Sequence, residues 1–446
     1  MTNSTLTVNP FSEILIGFSS ERFYGRKAII GKIMKAISSR NNFYLFSIKG
    51  NFRIGKTSLL KYLCSDNTTN EFSEYLMDYK SNQIKFVYIN LERLDDKPSN
   101  LYFLYDKMFI ALHIDPNEKD PSPDAIHNLF KQYQANNTRL VVCLDDFDNF
   151  FKSLTIEEEK LIRHYCSHQC IITATQKSFL DLRLGAKRSP LVSIMQPLVL
   201  SFLEESEAKE LISKPIADSK QSFTDSEVQF LIELAGLHPY LLILSCAAVF
   251  DLRIEQNGRN LDKLLSDEPW NKFLRSKIGS SPGIEELFAI FWKNLDSDDR
   301  KCLIKIARGE QPDLSNEAPA LNSLRNNSLI RDDLAKRKWF IFSHLFQDYI
   351  IRQSGSAASE DIEYILEDLA PLERNLFLYL SERPNRICGT EELKRIFWDG
   401  LDSNKQKRGL EAAIHRIRSS ARYKSSGWNY LRNERGIGFI FVPKSE

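Results

Sequence analysis

The sequence predicts an α/β protein: a parallel sheet covered by helices on both faces, followed by a long helical stretch and a separate C-terminal module. Three observations predict it. Short, continuously apolar runs, "IKFVYINL" (Ile84 to Leu91), "RLVVCLDDFDNF" (Arg139 to Phe150), "QCIITATQ" (Gln169 to Gln176) and "PLVLSFL" (Pro197 to Leu203), alternate with stretches of helical spacing such as "LYFLYDKMFIALHI" (Leu101 to Ile114). Strands that are apolar on both sides belong to parallel sheets buried on both faces. From Glu204 to about Asn327 the pattern turns almost wholly helical, and the small-residue run "QSGSAAS" (Gln353 to Ser359) reads as a linker ahead of a separate module.

Bulk properties agree with several domains, since single cores stop growing near ~250–300 residues and this chain has 446. The hydrophobic content of 42% with 27% charge is ordinary globular composition. No apolar run reaches the ~20 residues that cross a bilayer, and "MTNSTLTVNPF" lacks the blocks of a signal peptide. Seven cysteines without a framework pattern point to reduced thiols. A cytoplasmic protein without a membrane partner is expected. The net charge of +1 is uneven: 15 Lys/Arg stand against 9 Asp/Glu from Pro371 onward, and 45 against 50 before it. A basic tail on an acidic body suits an anionic partner, or is simply a solvated helix face.

The most informative stretch is "SIKGNFRIGKTSLL" (Ser47 to Leu60). An apolar run leads into G-x-x-x-x-G-K-T and a helix-forming run leads out, the setting of a loop that wraps phosphates. Gly50 and Gly55 permit backbone angles that let successive N–H groups of Gly50, Asn51, Phe52, Arg53, Ile54, Gly55, Lys56, Thr57 and Ser58 face phosphate oxygens. Lys56 adds a point charge, Thr57 offers a hydroxyl to Mg²⁺, and the helix beginning there presents its positive end. Arg53 either touches phosphate or faces solvent. ATP or ADP with Mg²⁺ is the expected cofactor. The acid-ended strand "VVCLDDFDNF" supplies the other half: Asp145 for the metal, Asp146 as the base that polarises water, and Asp148 as a solvent-facing or capping residue. Thr173 or Thr175 could sense the γ-phosphate, or either is a β-former of the sheet interior. Lys56 and Asp146 are the candidate catalytic pair.

Further stretches narrow the group. "NPF" (Asn9 to Phe11), "RFYGRKAIIGKI" (Arg22 to Ile33), "LSFLEESEAKELISKPI" and "LAGLHPYLL" (Leu234 to Leu242), taken with the loop and "LDDFD", resemble the STAND branch of the AAA+-related P-loop ATPases over residues 9 to 352. The resemblance implies that Tyr24, Gly25 and Arg26 form an adenine box and that Gly236, His238 and Pro239 belong to a lid turn closing over the base. Two departures stand out. Members often end the sensor strand in "T-x-R", where this chain has "TATQKS" with Gln176 or Lys177. Related switches carry "M-H-D" near bound ADP, where "FSHLFQDY" puts Ser343 at the His position and His344 at the Asp position. No arginine finger is assignable among Arg163, Arg183 and Arg188.

"HYCSHQC" alternates His164, Cys166, His168 and Cys170. Spacing by two puts all four on one face of a single strand, whereas zinc gathers ligands from separate segments. A helix end leading into the sensor strand explains the run without metal.

In the tail, "LAPLERNLFLYLSERPNRICGTEELKRIFWD" gives two helices, with a turn at Arg383-Pro384-Asn385 and a cap at Thr390. "RGLEAAIHRIRSSAR" (Arg408 to Arg422) gives a third, with Leu410, Ile414, Ile417 and Ala421 toward a core. Two short strands hinged at Gly436 and Gly438 close the chain. The order resembles the OmpR/PhoB-type winged helix of response regulators. That resemblance implies groove-facing Arg408, Glu411, His415 and Arg418, with phosphate contacts from Lys407, Arg416, Arg422, Arg432 and Arg435 on double-stranded DNA.

The expected domains are a P-loop ATPase core (1–203), a helical lid (204–275), a winged-helix module of the ATPase (276–352), a linker (353–363) and the DNA-binding winged helix (364–446). The expected function is an ATP-dependent switch with slow hydrolysis that controls DNA binding, as a transcription regulator. A homo-oligomer in the ATP state, or a protein or ligand sensed by the ATPase module, would be its further partners. The alternatives are a STAND-type assembly scaffold in defence or signalling, and a DNA-dependent ATPase of replication or transposition.

Overall fold

The computed structural model describes residues 9–39, 44–66, 68–92, 100–114, 121–166, 168–182, 189–217, 222–255, 268–333, 338–354, 362, 364–366, 368–381, 383–384, 386–398, 402–425, 429–434 and 437–442. The chain divides into two compact units, residues 1–306 with 311–347, and residues 307–310 with 348–446. The division falls within the helix His344–Ser354, ahead of the expected linker, most of which lies outside the described residues.

The first unit is a P-loop NTPase α/β fold. Its strands are β1 (Leu45–Lys49), β2 (Ile84–Asn90), β3 (Arg139–Asp145), β4 (Cys170–Thr175) and β5 (Met195–Val199), all parallel in the order β2-β3-β4-β1-β5. β3 and β4 are buried at every position, as their unbroken apolar runs require. One face packs Phe46, Ile48, Cys143, Ile172 and Ala174 against Leu59, Leu60 and Leu63 of the helix Lys56–Leu63. The other packs Leu140, Val142 and Leu144 against Phe109, Phe130, Phe147 and Phe151. Register decides what the carboxyl edge presents: Lys49 pairs with Thr175, and Asn90 with Asp145. The phosphate loop, the acidic end of β3 and the end of β4 therefore come out side by side, where open parallel sheets bind ligands.

The lid helices are Glu205–Ser213, Asp225–Ala235 and Pro239–Glu255. Gly236 ends the second at φ 65°, ψ −157°, a conformation that a side chain resists. A Cβ there would also lie 2.3 Å from the Phe342 carbonyl oxygen. The "NPF" run is an anchor: Asn9 caps the helix Pro10–Ile16 and donates to the Ala247 carbonyl and Asp251 of the long lid helix, at 2.9 and 2.8 Å. Phe11 is fully buried beside Phe223 and Phe250. Further on, the helices Ser297–Ala307 and Ala318–Asn326 precede an antiparallel hairpin of β6 (Ile330–Asp333) and β7 (Lys338–Ile341).

The second unit carries the helix Pro371–Ser381, strand β8 (Ile387–Gly389), the helices Thr390–Phe397 and Ser403–Ser419, and a hairpin of β9 (Leu431–Glu434) and β10 (Gly438–Phe441). The sheet order β8-β10-β9 is antiparallel, and this succession of elements is that of a winged helix. β8 lies between the expected turn at 383–385 and the helix that follows, and the sequence reading does not include it. Gly438 is required by closeness, since a Cβ there would sit 2.0 Å from the Cys388 carbonyl oxygen. Leu376, Phe377, Leu393, Leu410, Ile414, Ile417 and Phe441 form the core. Ala421 does not join them: the helix stops at Ser420 in extended backbone, Ala421 is exposed, and Tyr423 is buried instead. The cap of the helix Thr390–Phe397 is Gly389, with Thr390 as its first residue. Among the described residues no helix is long and apolar enough to cross a membrane.

Candidate functional site

A cavity of about 590 Å³ lies at the carboxyl edge of the sheet, walled by the phosphate loop, the Phe23–Arg26 segment and the lid. Of the expected nucleotide-binding residues it is lined by Tyr24, Arg26, Phe52, Arg53, Ile54, Gly55, Lys56, Thr57, Ser58 and Pro239. Asp146, Glu92, Gln176 and Tyr240 also line it, with apolar residues such as Leu15, Phe18 and Ile243. Gly25, Gly50, Asn51, Asp145 and Thr175 stand behind it, and each has a structural reason.

The loop's shape follows from its glycines and one strained arginine. Gly55 adopts φ 97° and Arg53 φ 58°, so the chain folds back on itself before the helix starts at Lys56. Gly50 leaves no room for a side chain, because a Cβ would lie 2.8 Å from the Leu200 carbonyl oxygen. The Lys56 ammonium donates to the carbonyls of Gly50 and Asn51 at 2.8 and 3.0 Å. Burial lowers its pKa, opposed by Asp148, Asp145 and Asp146. Arg53 stacks its guanidinium on Tyr240, 5.1 Å from the ring centre. An anion-accepting loop at a helix start with a half-buried ammonium fits polyphosphate.

Asp145 is 1% exposed. Its carboxylate accepts from the Tyr88 hydroxyl at 2.8 Å and from the Asp146 N–H at 3.1 Å. Tyr88 on β2 is a site residue that the sequence reading missed. Its signal was the register that sets β2 beside β3, which a single sequence does not print. Asp146 sits at φ 52°, at the start of the helix Phe147–Ser153, and faces the cavity. Burial raises its pKa, as do Asp145 and Glu92, while Lys56 lowers it. A carboxyl held toward neutrality suits proton transfer. Asp148 accepts from the Gln176 and Lys177 N–H groups, at 3.0 and 3.3 Å, and so caps the end of β4. Thr173 donates to the Phe46 carbonyl at 3.2 Å and belongs to the sheet. Thr175 is fully buried, and its Oγ1 has no hydrogen-bond partner among the described residues.

The Tyr24-Gly25-Arg26 segment is held from behind. Phe23 stacks on Tyr62 at 4.4 Å, and both it and Tyr24 line the cavity. Gly25 (φ 79°) and Arg26 (φ 65°) turn the chain over Glu207, whose carboxylate accepts the Arg26 N–H. The Arg26 guanidinium donates to the Phe202 and Ile54 carbonyls at 3.2 Å each. Burial pushes its pKa down to about 10 against the pull of Glu207 and Glu204. Arg26 thus fastens the phosphate loop to the stretch after β5.

Two bonds join the loop to later parts of the same unit. His238, fully buried, places Nε2 3.3 Å from the Phe52 carbonyl oxygen, among Phe202, Phe291 and Phe342. The Asn51 side chain donates to the Asn327 carbonyl at 2.5 Å. Ser343, at the position aligned with the switch histidine, instead caps the helix His344–Ser354 through the Phe346 N–H. Neither it nor His344 lines the cavity. Arg163 is exposed and donates to Ser193 at 3.1 Å; Arg183 and Arg188 lie outside the described residues.

In the second unit, Lys407, Arg408, Glu411 and His415 are exposed along the helix Ser403–Ser419, and Arg432 is exposed on β9. Three expected contacts are engaged within the unit. Arg416 pairs with Glu373 at 2.5 Å, and that carboxylate is almost fully buried. Arg418 donates to the Leu431 carbonyl at 2.6 Å. Arg422 donates to the Tyr364 carbonyl at 3.1 Å and stacks on its ring. Arg418 and Arg422 are half-buried, whereas Arg416 stays exposed and the Tyr364 ring under Arg422 is exposed too. Arg435 and the Gly436 hinge lie outside the described residues.

No model of a known protein family matches the chain, and no curated protein matches its sequence. Solved structures of low similarity do. A Walker-type ATPase of Pyrococcus abyssi is 14% identical with a TM-score of 0.48, over 74% of this chain and 96% of that one. The Aeropyrum pernix ORC2 protein in ADPNP–ADP complexes is 14% identical at 0.44, over 73% and 93%. Drosophila ORC bound to DNA is 11% identical at 0.42, over 79% and 94%. At such identities and TM-scores the likeness bears on neither activity nor partners, and the fold class rests on the sheet order and the loop themselves.

Proposed function

We propose that the protein is an ATP-binding switch of the STAND type with slow hydrolysis, whose nucleotide state controls DNA binding by its C-terminal winged helix, as a transcription regulator. One observation supports this above the others: the phosphate loop is hydrogen-bonded directly to the lid, through His238, and to the helical module beyond it, through Asn327. A loop that must reseat around phosphates while carrying both bonds couples nucleotide to the arrangement of those elements. Differential contacts of this kind are what a population shift needs.

Bound ATP supplies the transferable phosphoryl group and Mg²⁺ the charge that neutralises it. Lys56 balances charge on the outer phosphates, and Thr57 with Asp145 would hold the metal, Tyr88 orienting the carboxylate. Asp146 accepts the proton of the attacking water at its carboxylate. Tyr24 and Pro239 enclose the base. The DNA-facing set is Lys407, Arg408, Glu411, His415 and Arg432, with charge supplied by the basic stretch Asn404 to Arg435.

The test is binding of the purified protein to a double-stranded DNA library at near-physiological salt, with ADP or a non-hydrolysable ATP analogue, alongside Lys56→Ala and Arg408→Ala. Selection of one motif, stronger in one nucleotide state and lost in both variants, is the expected result. Weak binding indifferent to sequence and nucleotide would overturn it. Fast turnover stimulated by any DNA would replace the switch with a DNA-dependent ATPase.

A further inference from the structure

We propose that His127, His164 and His168 form a binding site for a divalent transition-metal ion that favours imidazole, Zn²⁺ first. His127 comes from the helix Pro123–Ala135, His164 from the last turn of the helix Ile156–Tyr165, and His168 from the turn into β4. One nitrogen of each ring lies within 4.8 Å of the other two. Ring centres are 5.4 Å apart for His127–His164 and His127–His168, and 5.0 Å for His164–His168. In a tetrahedral zinc site, bonds of about 2.0–2.1 Å put ligand nitrogens about 3.4 Å apart. Closure therefore takes small rotations, for which the rings have room: His164 is exposed, and His127 and His168 are half-buried.

Three features favour a ligand over a chance stack of rings. His127 Nδ1 is buried and has no hydrogen-bond partner among the described residues, a cost that a bound cation would remove. The backbone that carries the rings is fixed in advance: Gln134 donates to the His168 carbonyl at 3.1 Å, and Gln169 donates to the Phe130 carbonyl at 3.3 Å. The ligands also come from different elements: the "HYCSHQC" run is not the single strand its spacing suggested, because His164 lies in the last turn of a helix, His168 lies in the following turn and only Cys170 is in β4. Cys166 and Cys170 take no part, because both are buried and Cys170 accepts from Arg139 at 3.7 Å. Lys131 is a neighbouring charge working against a cation. Nitrogen-only donors select Zn²⁺, Cu²⁺ or Ni²⁺ and leave Mg²⁺, which takes oxygen ligands, to the phosphate site. With three protein ligands at the surface, the fourth position is open to water. A Zn²⁺ held there pins the helix Pro123–Ala135 to the turn that starts β4.

The experiment uses the full chain, stripped with chelator and held in excess Mg²⁺ and ADP. Zn²⁺ is titrated by calorimetry, and Co²⁺ is followed by absorption. One equivalent of Zn²⁺ is expected. His164→Ala and His168→Ala should each weaken it by more than ~100-fold, beyond the ~10–100-fold that loss of an outer-shell partner costs. Bound Co²⁺ should show tetrahedral visible bands without a thiolate charge-transfer band, and Zn²⁺ should raise the melting temperature of the wild type but not of the double variant. Absence of saturable Zn²⁺ binding, wild-type affinity in both variants, or a thiolate band would each overturn the site.

Discussion

Acidification should loosen the lid through a single histidine. His238 is fully buried, and burial pushes its pKa down to about 3, aided by Arg26 and Lys56 and opposed by its bond to the Phe52 carbonyl. The geometry gives the same direction. Nε2 faces a carbonyl oxygen and must carry the proton, while Nδ1 faces the Leu241 N–H at 3.5 Å. A second proton on Nδ1 would have no acceptor. The unfolded chain, with an ordinary histidine, takes up that proton below pH ~6.5. The contribution to stability is therefore complete above ~6.5 and lost as pH falls toward 3. Between pH 7.5 and 5.0 this one group costs ~2 kcal/mol, at ~1.4 kcal/mol per pH unit below 6.5. For a unit of this size that corresponds to ~3 °C in melting temperature. The assay is the melting transition of the wild type and of His238→Gln, which keeps a donor for Phe52 but cannot titrate, at both pH values. The wild type should lose ~3 °C more than the variant. Equal losses would refute the reasoning.

Asp146→Asn should bind labelled ADP like the wild type but hydrolyse ATP ~10²-fold more slowly or worse. Because the Asp146 carboxyl is held above its ordinary range and acts deprotonated, wild-type turnover should fall as the pH drops through that raised value. Gly236→Ala adds a methyl 2.3 Å from the Phe342 carbonyl at a glycine-only backbone angle. It should cost ~3 kcal/mol, seen as a lower melting temperature together with faster release of labelled ADP. Arg416→Ala leaves the Glu373 carboxylate buried without its partner. Its unfolding free energy should drop by ~1–2 kcal/mol, discounted for the exposed arginine, and the denaturant midpoint with it. Arg408→Ala should leave that midpoint unchanged and weaken DNA binding in a fluorescence anisotropy titration.

Most of the fold was legible because its signals are local. The unbroken apolar runs of β3 and β4 mark strands buried on both faces, and the glycines around Lys56 mark a loop that only they can form. The spacing of Leu410, Ile414 and Ile417 marks one helix face. These depend on neighbours within a few residues, which a single sequence displays. The helix break at Ser420 was not legible, because it is decided by Tyr423 finding a place in a core assembled from distant segments.

The site divides the same way. By itself the sequence determined the phosphate loop and the acidic end of β3, since each is a chemical pattern in a short stretch, while Tyr24 came only from the family resemblance. Tertiary structure alone decided that Tyr88 holds Asp145, that Arg26 fastens the loop, that Arg416 serves Glu373, and that His127 meets His164 and His168. Each of those pairings joins residues tens to well over a hundred positions apart. Strand register and helix packing choose such partners, and those are set by how the whole core closes, which no local pattern records.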